Sequence, residues 1–209
     1  RQMCKETGIE GILNLAAASG EDLGTTSDIV TDALTAFGLK ASDAAHFSDV
    51  LAQSAASANT NVSMMGESFK YVAPIAGAMK YSVEDTSLAL GLMANASVKG
   101  SMAGTSLKTA LANMAAPTDK MATAMKKYGI SLTDSNGNMK TLKGVLDNLR
   151  SSLGGLSETE KTAAASTIFG KEAMSGMLAI INATESDYNK LAESINNADG
   201  AASKMSDTM

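Results

Sequence analysis

The sequence predicts an all-α fold: a multi-helix bundle of short antiparallel helices with one small β-hairpin near residues 129–141. Three observations point there. Apolar residues recur at three- and four-residue spacing through most of the chain, the period of one helical face. Only two prolines, Pro74 and Pro117, interrupt the 209 residues, so helix is locally inexpensive nearly everywhere. Ser, Thr or Asp stands ahead of many apolar runs and Gly behind them, the order of helix starts and stops. Roughly eight to eleven helices are expected.

Ile9, Ile12, Leu13 and Ala16 mark a first helix, closed near Gly20. Thr26 or Ser27 is expected to cap the second, with Val30, Ala33, Leu34 and Phe37 inward and Gly38 as a left-handed C-cap. Ser42 starts a third, burying Phe47, Val50, Leu51 and Ala55, and the polar run Ser57–Asn61 is a turn. Val62, Met65, Phe69, Val72 and Ala76 line one face of a fourth, with Pro74 in its last turns, where proline kinks or ends a helix.

Ser82 and Asp85 have the spacing of a capping box. From Val83 to Ala96 the chain is apolar on most faces, which places that helix inside the bundle. Gly100 and Gly104 bracket Ser101, Met102 and Ala103 as a tight helix–helix corner, and Thr105 is expected to cap a helix carrying Leu107, Leu111 and Met114. Pro117-Thr118-Asp119 opens a short helix with Met121, Met125 and Tyr128. The period then changes. Ile130 and Leu132 alternate toward Asn136-Gly137 and Met139, the hairpin signal, and so small a hairpin must pack on a helix.

Leu142, Val145, Leu146, Leu149 and Leu153 line a further helix, ended by Gly154-Gly155. Ser157/Glu160 and Thr184/Asp187 read as two more capping boxes. Phe169-Gly170 separates two short helices, the second bearing Met174, Leu178 and Ile181, and Tyr188, Leu191 and Ile195 mark the next. The tail after Gly200 is polar and expected to fray.

Composition narrows the function. The net charge is −5 and Arg1 and Arg150 are the only arginines, the opposite of a nucleic-acid-binding face, so no specific nucleic-acid binding is expected. The Lys126-Lys127 pair reads as a solvated helix end. Cys4 is the only cysteine, so no internal disulfide forms, and no neighbour in sequence activates it. No run of 18 apolar residues is present, so no membrane span is expected. The first residues, RQMCKETG, lack the apolar core of a signal peptide. The chain begins at Arg1 and stops within a helical pattern, from which a longer parent protein is expected.

No residue set supplies chemistry, so the expectation is no catalytic residue, no cofactor site and no metal site. His46 is the only histidine, metal sites need several ligands at set spacings, and no nucleophile elbow is present. Asp134, Asn136 and Asn138 alternate as calcium ligands do, but Met139 stands where that loop needs glycine and the bidentate Glu is absent. Gly100 and Gly104 have no Walker spacing, and in a polar setting read as a turn rather than a membrane dimer face. Glu84-Asp85 and Glu158/Glu160 sit in first helical turns, where they complement the helix dipole. The 14 methionines are mostly core filler at helical spacing, with an adaptable interaction surface as the alternative.

The segment GSMAGTSL (Gly100–Leu107), following an Ala/Leu/Met helix, resembles the core region of phage tail tape measure proteins. The resemblance continues through Leu34–Gly77, Tyr128–Ser157 and Ile168–Ile181 and covers roughly residues 9–197. It implies a flanking segment at 1–8, a helical core domain at 9–197 and a polar C-terminal extension at 198–209. It also implies a non-enzymatic virion protein that templates tail-tube assembly, sets tail length, lies in the tail lumen and leaves ahead of the genome. The implied partners are the tail tube protein, tail assembly chaperones, tail-tip proteins and other copies of itself, first met in the bacterial cytoplasm. A ruler must be extended, so residues 9–197 are expected to collapse outside the tube and open within it. The alternatives are a membrane-active protein and a generic helical interaction module. A cell-wall hydrolase, the enzymatic rival, lacks its residues here.

Overall fold

The computed structural model describes the backbone of residues 3–208 and the side chains of residues 8–208. The side chain of Cys4 therefore lies outside the described residues. Twelve α-helices make up the described chain: α1 (Met3–Ser19), α2 (Leu23–Phe37), α3 (Ala44–Ser57), α4 (Val62–Ala78), α5 (Val83–Asn95), α6 (Ser101–Ala115), α7 (Asp119–Tyr128), α8 (Leu142–Leu153), α9 (Glu158–Phe169), α10 (Lys171–Asn182), α11 (Glu185–Asn196) and α12 (Ala201–Thr208). A single 3-10 turn, Ala41–Asp43, leads into α3.

The apolar spacing decides the layering. α5 is buried on nearly every face, from Val83 to Ala94, and sits at the centre with α3, α4, α6, α8, α10 and α11 around it. α8 is amphipathic instead: Leu142, Val145, Leu146, Leu149 and Leu153 are fully buried while Ser151 faces water. The aromatic centre lies on the α2–α3–α4 side, where Phe47 meets Phe69 edge-on at 5.3 Å and Phe37 lies 5.9 Å from Phe69. Offset and edge-on pairs like these are the favoured aromatic geometries.

Caps end the helices where the chemistry asks for them. Asn61, Ser82, Thr118, Thr141, Ser157 and Thr184 each accept a backbone N–H in the first turn of the helix they precede. Gly38 and Gly129 take left-handed C-cap conformations. The full reciprocal box forms at Ser157/Glu160. At Ser82/Asp85 half of it forms: Ser82 Oγ accepts the Asp85 N–H, but the Asp85 carboxylate reaches out to the Lys143 N–H at 2.9 Å. Asp187 likewise accepts the Thr184 hydroxyl at 2.8 Å.

Several expectations are corrected. The β-hairpin at 129–141 is absent: among the described residues there is no strand, only one isolated antiparallel bridge, Thr133 to Met139. The turn itself exists, with Asp134 N–H donating to Asn138 and Lys140 N–H to Leu132, both at 2.8 Å. The ladder stops on both sides for a local reason. The Ser131 N–H donates to the Asn148 side chain at 3.2 Å, and Thr141 is already the cap of α8. α2 begins at Leu23 under an Asp22 cap, not at Thr26 or Ser27. α6 begins at Ser101, four residues before the expected Thr105 cap. The tail after Gly200 does not fray but forms α12, packed on α1 and α3 with Ala201 and Ala202 buried.

Candidate interaction surface

In the GSMAGTSL segment the two glycines act through the backbone. Gly100 caps α6 with φ +58°, a conformation that favours glycine, and its carbonyl accepts the Ser68 hydroxyl at 2.8 Å. Gly104 lies inside α6, not at a corner. A Cβ there would sit 2.2 Å from the Ser68 carbonyl oxygen, so α6 and α4 cross backbone to backbone.

Beside that crossing lies a groove of about 980 Å³ between α2 and α4, bordered also by Lys99–Met102. Gly66 faces Ile29 and Gly77 faces Ala36 and Phe37, so α2 and α4 run in the same direction. Ile29, Ala36 and Pro74 line the groove, with the exposed Met64 and Met102 at its α6 end. These two methionines belong to the set the sequence left open between core filler and interaction surface. Met65, Met93 and Met177 are core.

Two polar junctions tie distant segments together. His46 on α3 is half-exposed and stands between two carboxylates, with Nε2 2.5 Å from Glu84 and Nδ1 3.1 Å from Asp199. Asp49, one turn on, accepts the N–H groups of Gly200 at 2.8 Å and Ala202 at 2.9 Å, and so caps α12 from α3. In the second junction the buried Tyr188 hydroxyl donates to Asp147 at 2.6 Å beneath the Arg150 guanidinium, 4.4 Å above the ring. Burial first, then the Asp147 carboxylate, pushes the Tyr188 hydroxyl far above its ordinary pKa. Arg150 also donates to the Ile180 and Ala183 carbonyls at the end of α10.

These groups are arranged for joining helices. Asp134, the first residue of the calcium-like alternation, turns its Oδ1 onto the Asn136 and Asn138 N–H groups. Those bonds hold its pKa below the ordinary carboxylate value. Among the described residues no cluster of three or more His, Cys, Asp or Glu is placed to hold a metal ion. No described helix is long and apolar enough to cross a membrane. Sequence reasoning missed the His46 and Asp49 roles, since their partners lie far along the chain.

A helical module joined in this way is of the structural kind, and comparison with known proteins specifies it. The family of phage-related minor tail proteins matches residues 5–170, and the chain belongs to that family, a structural class of the phage tail that works among other tail components. The chain is 42% identical over 199 residues to the tape measure protein of Pneumococcus phage Dp-1, covering 95% of this chain and 17% of that protein. It is 28% identical over 200 residues to the probable tape measure protein of Escherichia phage P2, covering 94% of this chain and 24% of that one. The tape measure resemblance seen around Gly100–Leu107 therefore holds across nearly the whole chain, which spans less than a quarter of either relative. No solved structure matches the chain.

Proposed function

We propose that the chain is the helical core module of a tape measure that templates tail-tube assembly, sets tail length and leaves the tube ahead of the genome. The relationship over nearly all of its length to two tape measure proteins carries this reading. In it the module works without catalysis, cofactor or metal. Its partners are the tail tube protein, tail assembly chaperones, tail-tip proteins and further copies of itself, met in the bacterial cytoplasm and then in the tail lumen. The module proposed for residues 9–197 takes α12, from the 198–209 extension, as a packed member.

A ruler made of this segment has a calculable length. As continuous helix, 209 residues span roughly 310 Å at 1.5 Å per residue. In-frame deletion of the segment from the full-length parent should shorten tails by about that amount, and duplication should lengthen them equally, as seen by electron microscopy. Tails of unchanged length in both variants would overturn the ruler. The opening inside the tube has its own test, a disulfide lock between α3 and α11 at the touching pair Gln53 and Ser194. Locked Gln53→Cys/Ser194→Cys chains should fail to give full-length tails until reduced. Full-length tails from locked chains would refute the opening.

A further inference from the structure

The groove between α2 and α4 is bordered by charges of opposite sign. Asp28 and Asp32, one turn apart on α2, stand on one wall. Lys70 of α4 and Lys99 of the α5–α6 connection stand on the other, with the half-buried Glu67 between them. Among the described residues none of the four outer charges is in an ion pair. Between the walls runs an apolar strip through Ile29, Ala36 and Pro74, with Met64 at 42% and Met102 at 63% exposure.

The register along the groove is set by the helix contacts. Gly66 lies against Ile29, and Ser68 binds the Gly100 carbonyl, which brings Lys99 to the level of Asp28. One turn further on, Lys70 comes to the level of Asp32. Each acid thus has a base at its own level on the other wall, with which it forms no ion pair within one molecule.

We propose that a second copy of this chain covers the groove, related by a two-fold axis running along it. Rotation about that axis turns the copy face down and exchanges left for right. The copy's Asp28 and Asp32 then stand over Lys99 and Lys70, and its own lysines stand over the first chain's acids. A partner of uniform charge would be repelled by one wall, so two rows of opposite sign select a partner carrying the same two rows. An axis across the groove would set acid on acid. The contact is isologous and closes at two copies. Met64 and Met102 suit it, because unbranched thioether chains repack against their own kind with little strain. This gives a surface to the self-association put forward above and is separable from the ruler, which requires no dimer in solution.

Sedimentation velocity on the 209-residue chain across a concentration series tests the proposal. The wild type should form a dimer that weakens with added salt. Asp28→Lys/Asp32→Lys and Lys70→Glu/Lys99→Glu, each alone, should lose self-affinity by about a hundredfold, since each then sets like charge on like charge. An equimolar mixture of the two variants should recover the dimer, because the reversed acids of one meet the reversed lysines of the other. Circular dichroism confirms that both variants stay helical. A wild type that stays monomeric, variants that dimerise as the wild type does, or a mixture that does not recover would each overturn it. So would crosslinks in assembled tails that join Met102→Cys to another tail component and never to a second copy.

Discussion

Where α4 crosses α6 the backbones touch: a Cβ at Gly104 would lie 2.2 Å from the Ser68 carbonyl oxygen, and one at Gly77 equally close to Ala36 of α2. Where α8 meets α5 and α10, side chains do the joining, through Leu142, Val145, Leu146, Leu149 and Leu153 at full burial. The first kind of contact is limited by what can be added, since a carbonyl cannot step aside without moving its helix. The second is limited by what can be removed, since a truncated leucine leaves a cavity in a close-packed interior. One molecule therefore carries two kinds of joint, a thin one around α4 and a thick one around α8.

The largest effect should come from emptying the thick joint. Leu149→Ala should cost about 3 kcal/mol, read as a lower urea midpoint with unchanged slope. Overfilling the thin joint comes next. Gly104→Ala puts one methyl against the Ser68 carbonyl and should cost about 2 kcal/mol by forcing α4 and α6 apart. A Gly104→Ala chain as stable as the wild type would show that crossing to be slack, and the contrast between the joints would collapse.

The two joints also differed in how readable they were. All five buried α8 residues, four leucines and Val145, follow from the three- and four-residue spacing, because an amphipathic helix writes its buried face into its own sequence. From its sequence alone Gly104 reads as part of a corner, because a glycine that permits a close approach and one that permits a turn look alike until the partner, Ser68 on another helix, is known. The hairpin failed for a similar reason. Asn136-Gly137 makes the expected turn, but Asn148 of α8 captures the Ser131 N–H that a second rung would need. Local periodicity cannot see such competition. The groove was equally hidden: Asp28 and Lys99 are each ordinary surface charges, and only the parallel placement of α2 and α4 sets them across from one another. The family resemblance was legible because it rests on ordered local segments.

The α3–α12 joint is thinner still, and a smaller effect is expected there. Asp49 accepts two N–H groups at the start of α12, standing in for the cap that the sequence before Ala201 does not supply. Asp49→Ala should cost about 1 kcal/mol, the usual value of a lost cap. The loss should be local: hydrogen exchange should speed up across Ala201–Thr208 and stay unchanged in α8. Equal acceleration in both helices would mean that α12 is part of the thick core rather than a latch on its edge.

The smallest effect should be the most specific. His46 faces a carboxylate from each ring nitrogen, Glu84 of α5 and Asp199 of the α11–α12 connection. A neutral imidazole carries one N–H and can satisfy only one of them, whereas imidazolium satisfies both. Burial opposes the charge, but the hydrogen bonds and fields of Glu84 and Asp199 outweigh it and raise the pKa above the ordinary 6.5. The contribution is therefore complete below that ordinary value and is lost as pH rises through the folded one. Half-exposure screens it, so it should amount to less than about 1 kcal/mol. Proton NMR of the imidazole should give a midpoint above 6.5, lowered by Asp199→Asn, with protection of α12 falling over the same interval. In His46→Gln that fall should disappear while Asp49 still holds the helix start. A midpoint below 6.5 would mean that burial wins, and the His46 contact would then hold α12 through at most one neutral hydrogen bond.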